Sequence, residues 1–256
     1  MRDQASHLRK TSVHMGDANT KSLPSWAPQV VFVLLVSSAL FIMFPAIDLA
    51  VSRSFARGAT FPLSDNLFLL AIRDANRRFM IYFLILMTLA IFLYALWPQR
   101  FKFVPPHKAL FVILTFLLGP LLTVQLLKHF IGRARPRSLF EFGGTADFTP
   151  VWQYAAQCSR NCSFPSGEAA TAAATLALIV FIPVRWRFLS IALVSPVLLF
   201  ASINRVLFGA HFLSDVFVAW GLMLCLMVWL WKKVSENARN IDDLIESFGV
   251  KSGGTD

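Results

Sequence analysis

The stretch ALFVILTFLLGPLLTVQLLKHFIGRARP, residues 109–136, decides the fold. Its first nineteen residues, Ala109 to Leu127, carry no charge. At about 1.5 Å of rise per residue they make a helix about 28 Å long, close to the thickness of a bilayer's hydrocarbon core. A helix is required because lipid offers no partner to an unpaired backbone N–H or C=O. The run stops on Lys128, and Arg133, Arg135 and Pro136 follow closely. An apolar span thus delivers a cluster of cations to a membrane surface.

Outward from this stretch the pattern recurs. Uncharged runs extend from Trp26 to Ile47, Phe79 to Trp97 and Phe188 to Asn204. Two more, Ala169 to Val184 and Val216 to Trp231, reach full length if the polar turns before them, Pro165 to Glu168 and His211 to Asp215, join the same helices. The sequence therefore predicts an all-α polytopic membrane protein, a bundle of six transmembrane helices. Of its 256 residues 56% are hydrophobic and 15% charged, against about a quarter charged in an ordinary soluble domain. Unbroken apolar runs exclude both a disordered chain and a soluble enzyme, whose elements would be apolar on one face. No repeat or second domain is visible. The organisation reads as a polar N-terminal tail (1–25), a membrane domain (26–232) and a polar C-terminal tail (233–256), with the first run a retained anchor rather than a signal peptide.

The formal charge of +10 would suggest nucleic acid in a soluble protein, but here the cations lie between spans and report orientation instead. With the N-terminus inside, thirteen of the 24 Lys and Arg fall on the cytoplasmic side and eleven outside. Trp26, Trp97, Trp186, Trp229 and Trp231 would all mark the inner boundary, where amphipathic rings favour the headgroups. Both ends are thus expected in the cytoplasm, and no nucleic-acid partner is expected. Leu63 to Arg78 reads as a short interfacial helix on the outer side, packed against the bundle. The long loop from Arg137 to Ser163 has the length of a lid or binding surface. Within it, Cys158 and Cys162 stand as a local disulfide or as two thiols, according to the compartment. Cys225 reads as a small apolar residue.

Three polar clusters interrupt the apolar pattern: KHFIGRARP from Lys128, CSFPSGEAA from Cys162, and NRVLFGAHFLSD from Asn204. In a six-span bundle the loops that carry them emerge on one face. Such a convergence of costly ionisable groups marks a site. Lys128, Arg135 and Arg205 suit phosphoryl transfer, in which positioning and electrostatics supply most of the rate. Ser166 and Gly167 open a helix whose free N–H groups point at an anion. Arg133 and Arg137 flank the core motif and read as headgroup anchors, with the holding of further lipid phosphate as the alternative. His211 and Asp215 are four apart, so on one helical face the carboxylate would accept from one imidazole nitrogen and leave the other free to attack.

These clusters resemble the signature of the type 2 phosphatidic acid phosphatase superfamily: Lys-x6-Arg-Pro, Pro-Ser-Gly-His and Ser-Arg-x5-His-x3-Asp. The resemblance spans Lys128 to Asp215, and the six-span plan extends it over most of the membrane part. It implies a catalytic His211 that forms a phosphohistidine, Asp215 as its orienting partner, and Lys128, Arg135, Ser166, Gly167 and Arg205 as the phosphate-binding residues, without metal or cofactor. Two positions depart from the pattern. Asn204 replaces a Ser, a change of little expected consequence. Glu168 replaces the His that protonates the leaving group. It is read either as that acid, tuned by burial and a bound dianion, or as an ion-pair partner of Lys128 or an arginine. His129, adjacent to Lys128, should point off the site.

The string NCSFPSGEAA with GRARP is similar to a bacterial subgroup of lipid A phosphatases, particularly those acting on the 4′-phosphate. The implied protein is an inner-membrane lipid phosphate monoesterase with a periplasmic-side site. Phosphatidylglycerophosphate, phosphatidic acid and isoprenyl diphosphates are alternative substrates. An inactive lipid-binding or transport protein is the alternative of another class. The sequence leaves the oligomeric state open.

Overall fold

Prolines set where the helices break. In the computed structural model, which describes residues 27–252 with side chains to residue 248, Pro45 separates α1 (Ala27–Met43) from α2 (Ala46–Phe55), and the two meet at 82°. Proline has no N–H to donate and its ring clashes with the turn before it. A short 3-10 turn, Pro62–Asp65, precedes α3 (Leu67–Leu96), which Asn66 caps by accepting from the Leu69 N–H at 3.1 Å. Pro106 opens α4 (Pro106–Phe116). Pro120 then falls inside a π-helical stretch, Leu117–Thr123, that leads into α5 (Val124–Ile131). Gly132 ends α5 in the left-handed conformation, φ 62°, and its N–H returns to the Lys128 carbonyl at 3.2 Å, a glycine helix stop.

The long loop follows. Ser166 caps α6 (Gly167–Thr175), which continues as a 3-10 segment, Leu176–Phe181. Then come α7 (Val184–Leu207), α8 (Leu213–Glu236) and α9 (Ala238–Ser252). No strand is present among the described residues. Leu67–Leu96, Pro106–Ser138, Val184–Leu207 and Leu213–Glu236 are long and apolar enough to cross a bilayer, and the bent pair α1 and α2 makes a fifth if it is one broken span. Gly167–Phe181 is apolar but shorter. It begins at Gly167, so Pro165 stays outside it. The expected tail over residues 1–25 and the boundary residue Trp26 lie outside the described residues.

One expected element is corrected. Leu63 to Arg78 is not a separate interfacial helix: from Leu67 it is the first part of α3, continuous to Leu96. Its charged residues stay at the rim, Arg73 paired with Asp74 and Arg77 with Glu168, while its amide turns inward. Asn76 is buried and donates to the Glu168 carbonyl at 2.9 Å.

Alanine-rich α6 lies at the centre. Ala169, Ala170, Ala172, Ala173 and Ala174 are wholly buried against α3, α7 and α8. Small side chains allow helix axes to approach closely where lipid gives no hydrophobic drive to association. Away from the polar clusters Phe111, Phe116, Met227 and Leu230 fill the core. Phe32, Leu35, Ile85, Phe188 and Val197 face outward, as lipid contact demands. Trp97 ends α3, Trp186 begins α7, and Trp229 and Trp231 sit in the last turns of α8. All four thus mark the bundle end opposite the clusters. There α9 is clasped to α4: the His107 N–H donates to Asp242 at 2.9 Å, and its Nδ1 lies 2.7 Å from the other carboxylate oxygen.

At the cluster end the turn between α7 and α8 requires glycine. Gly209 has φ 59°, and a Cβ there would fall 2.5 Å from the Phe61 ring. Gly209→Val is expected to cost about 1–3 kcal/mol through backbone strain and overpacking. The check is thermal unfolding of the detergent-solubilised protein, with a midpoint several degrees lower; an unchanged midpoint contradicts the packing.

Candidate active site

Helix ends build the site. Lys128 stands in the last turn of α5, buried, with its ammonium donating to the Cys162 carbonyl at 2.8 Å. Beyond the Gly132 turn the chain runs extended, so Arg133 and Arg135 point to different surroundings. Arg135 donates from Nε to the Asn161 carbonyl at 3.0 Å. Arg133 is fully buried. Its Nη2 reaches Asp48 at 2.9 Å, its Nη1 reaches Asp215 at 2.6 Å and Ser214 at 2.9 Å, and its Nε donates to the Thr149 carbonyl at 2.8 Å. Its guanidinium also lies 4.1 Å over the Phe212 ring. The expected headgroup anchor is therefore a buried ionic hub, because α2 supplies a second carboxylate that the linear sequence does not bring near.

The α7–α8 turn explains the spacing of the third cluster. After α7 ends, the Arg205 carbonyl accepts from both the Ala210 and His211 N–H groups, at 3.1 and 3.2 Å. One turn thus carries the arginine and the imidazole together. His211 precedes α8 rather than lying on it, and this corrects the expected contact with Asp215. The Nδ1 of His211 bonds to the Ser163 carbonyl at 2.6 Å, while the nearer Asp215 oxygen is 3.6 Å away. A carbonyl only accepts, so Nδ1 bears a proton and points away from the Glu168 side of the ring. Asp215 is itself held: it accepts from the Phe212 N–H at 2.9 Å, from Arg133 and from the Ser163 hydroxyl. Ser163 thus links the two groups, its hydroxyl donating to Asp215 and its carbonyl bonding to His211.

At the start of α6, Ser166 accepts from the Ala169 N–H at 3.3 Å, and its own N–H donates to the Asp215 carbonyl at 3.1 Å. The Ser166 hydroxyl proton remains available. First-turn N–H groups such as those of Gly167 and Glu168 have no intrahelical acceptor. A Cβ at Gly167 would meet nothing nearer than Val124 at 3.8 Å. Small size at this position leaves open space above the helix end.

The structure brings Lys128, Arg135, Ser166, Gly167, Glu168, Arg205, His211 and Asp215 to one end of the bundle. Glu168 lies at their focus. Its Oε1 is paired with Arg77 of α3, Nε at 3.1 Å, and lies 3.6 Å from Arg205 Nε; its Oε2 lies 3.5 Å from His211 Nε2. The ion-pair partner expected for Glu168 is thus an arginine, though one the motifs did not contain. Buried Nε and Nη1 of Arg205 and Nε2 of His211 have no hydrogen-bond partner. An unmet buried donor or acceptor costs about 1–3 kcal/mol. Three such atoms stand together around the Glu168 carboxylate. His129 is exposed and stands against Phe130, off the site.

Six participants escaped sequence reasoning: Asp48, Asn76, Arg77, Arg133 in its buried role, Ser163 and Ser214. Arg73 and Arg77, four apart at the entry to an apolar run, were a usable signal; so was Asp48, an acid beside a span. Asn204 turns its amide away, donating to the Leu69 carbonyl of α3 at 2.7 Å. Cys158 and Cys162 form a disulfide, with Cα atoms 5.5 Å apart.

A family model described as PAP2 superfamily matches residues 108–239. A lipid A 4′-phosphatase of Rhizobium leguminosarum is 40% identical over 107 residues, 41% of this chain and 46% of that protein. The match therefore spans about half the length of that relative. A lipid A 4′-phosphatase of Francisella tularensis subsp. novicida is 30% identical over 196 residues, 74% of this chain and 86% of its own. Among solved structures, the crystal structure of a transmembrane PAP2 type phosphatidylglycerolphosphate phosphatase from Bacillus subtilis is similar with a TM-score of 0.56 at 20% identity, covering 82% of this chain and 97% of that one. At that identity the likeness concerns the fold alone.

Arg133→Met would leave Asp48 and Asp215 buried without their cation. A loss of about 3–5 kcal/mol is expected, whereas Asp48→Asn, which keeps an acceptor oxygen, is expected to lose less. Unfolding midpoints in detergent check this, and a wild-type midpoint for Arg133→Met would contradict it.

Proposed function

The chain belongs to the PAP2 superfamily, and on that premise we propose that it is a membrane lipid phosphate monoesterase, with lipid A 4′-phosphate as its first candidate substrate. One observation carries the reading: unpartnered buried nitrogens of Arg205 and His211 converge on the place held by the Glu168 carboxylate. A carboxylate ringed by cations stands where a phosphate would bind. The likeness to lipid A 4′-phosphatases supports the choice of substrate.

In the proposed reaction Lys128, Arg135, Arg205, the Ser166 hydroxyl and the first N–H groups of α6, starting at Gly167, hold the phosphate oxygens. Charge on those oxygens is thereby met by fixed cations and dipoles. The Nε2 lone pair of His211 attacks phosphorus, the bond to the lipid oxygen breaks, and a phosphohistidine forms. The leaving oxygen needs a proton. A dianion placed beside Glu168 favours protonation of one of the two, and that shared proton is the one the leaving oxygen takes. Water then attacks the phosphohistidine and returns its proton to Glu168, which releases inorganic phosphate. Asp215, through Ser163, keeps His211 in the tautomer that leaves Nε2 free. The charge that a metal would supply comes from side chains, so no cofactor enters the proposal.

The same reading has six spans, counting the bent α1–α2 pair and the short Gly167–Phe181 helix. The tails over 1–25 and 233–256 lie in the cytoplasm, the phosphatase domain covers 26–232, and the site faces the periplasm of a bacterial inner membrane. A substrate anchored in the outer leaflet then reaches the site laterally.

Purified protein is expected to release phosphate from lipid A in the presence of a chelator. His211→Ala should lower kcat by at least about 10⁴-fold. Unchanged turnover in that variant would remove the nucleophile, and no turnover by the wild type on lipid A, phosphatidylglycerophosphate, phosphatidic acid or isoprenyl diphosphate would favour a lipid-binding protein. Glu168→Gln should slow kcat by about 10²–10⁴-fold with little change in substrate affinity; equal activity would show that the proton comes from elsewhere.

A further inference from the structure

Beside the phosphate cradle lies a second polar groove, of about 400 Å³, lined in part by Arg135, Arg137, Arg160, Gln157, Ser159 and Asn161. No carboxylate lines it. Among the described residues Arg137 and Arg160 form no ion pair, while Arg77, Arg133 and Arg205 of the neighbouring site all face carboxylates. Arg137 and Arg160, without a counter-charge, together with Arg135 make a strong anion field, and arginine's fork suits phosphate. Amides and a hydroxyl complete a lining that suits a hydroxyl-bearing scaffold. The volume falls in the range of small-ligand sites.

The groove is built rather than incidental. The Cys158–Cys162 disulfide encloses Ser159, Arg160 and Asn161 in a short loop. That loop is pinned to the end of α5: the Gln157 N–H donates to the Gly132 carbonyl at 3.1 Å, and the Asn161 carbonyl accepts from Arg135 at 3.0 Å. The Gln157 side chain accepts from the Asp147 N–H at 2.7 Å. The same loop feeds the cradle, since the Cys162 carbonyl holds Lys128 and Ser163 follows directly. Arg135 belongs to both the groove and the cradle.

We propose that this groove is a binding subsite for a second anionic group, a phosphate carried on the same sugar headgroup as the phosphate in the cradle, with Arg137 and Arg160 as its specificity-determining residues. The inference rests on reading the cradle as a lipid phosphatase site. The subsite contributes binding and not chemistry, so it acts on KM. A phosphate in this groove could come from a lipid headgroup or from solution, and the headgroup source follows from the shared Arg135, which ties the two seats to one ligand.

The test uses the full-length protein in phosphatidylcholine nanodiscs, as wild type and as the double variant Arg137→Gln with Arg160→Gln, both exposed positions outside the cradle. Substrates are a disaccharide lipid with phosphates on both sugars and the same lipid with one. For the diphosphorylated lipid the double variant should raise KM at least about tenfold and hold kcat within about twofold; for the monophosphorylated lipid neither constant should move by more than about twofold. Equal shifts for both lipids, or none, overturn the proposal. Equilibrium binding in a His211→Asn background reads the groove without turnover. A preference for two phosphates that the double variant abolishes supports the subsite even if the wild type releases no phosphate from any lipid, an outcome that would fail the phosphatase reading alone. No preference overturns the subsite even if hydrolysis proceeds. If inorganic phosphate erases the preference at concentrations that leave binding of the monophosphorylated lipid unchanged, the groove takes free phosphate and the headgroup assignment falls.

Discussion

Arg133, with no exposure, sits between Asp48 and Asp215, which are equally buried. Removing these charges from water is costly, and only close pairing with full hydrogen bonding offsets that cost. The pairing here is complete: every nitrogen of the guanidinium donates, and Ser214 and Ser163 occupy the remaining carboxylate positions. This hub joins α2, the turn after α5, the residues before α6 and the start of α8. Four separately emerging pieces of chain are thereby locked at one bundle end. The hub bears directly on His211, because the imidazole bonds to the Ser163 carbonyl and the Ser163 hydroxyl bonds to Asp215.

Above the hub the electrostatics change character. The hub is satisfied, whereas the cradle is not: Arg205 and His211 keep unmet polar atoms, and Glu168 serves as an internal anion for them and for Arg77. A satisfied layer beneath an unsatisfied one suits the proposed phosphate site, since the lower layer resists rearrangement. Glu168 has a double consequence in the proposed chemistry. It offsets the mutual repulsion of Arg77 and Arg205, and, lying 3.5 Å from His211 Nε2, it must yield that place when a phosphate enters.

Most of this architecture was legible from the chain alone, and the reasons are physical. Span length is set by bilayer thickness, so apolar runs announced most of the helices directly. Parity of the loops then forced the three polar clusters to one side, and the residues they contain do meet there. What could not be read depended on contacts between distant segments. Arg133 looked like a surface cation because its partner Asp48 lies 85 residues away. Arg77 seemed interfacial because the charged start of α3 broke the apolar run, although the helix continues through it and Arg77 pairs with Glu168 of α6. The His211 and Asp215 spacing suggested a helical pair, but α8 starts only at Leu213, and a backbone carbonyl, which no side-chain motif records, took the imidazole proton instead.

The central claim is that His211 Nε2 accepts the phosphoryl group. Rapid acid-free quenching of the wild-type protein after mixing with lipid radiolabelled in the scissile phosphate, followed by peptide mapping, tests it most directly. The account predicts an acid-labile, base-stable phosphate on the peptide that contains His211, absent when His211→Ala is treated identically. Label found on Ser166, or lipid turnover with no covalent phosphoenzyme at any time, would contradict it.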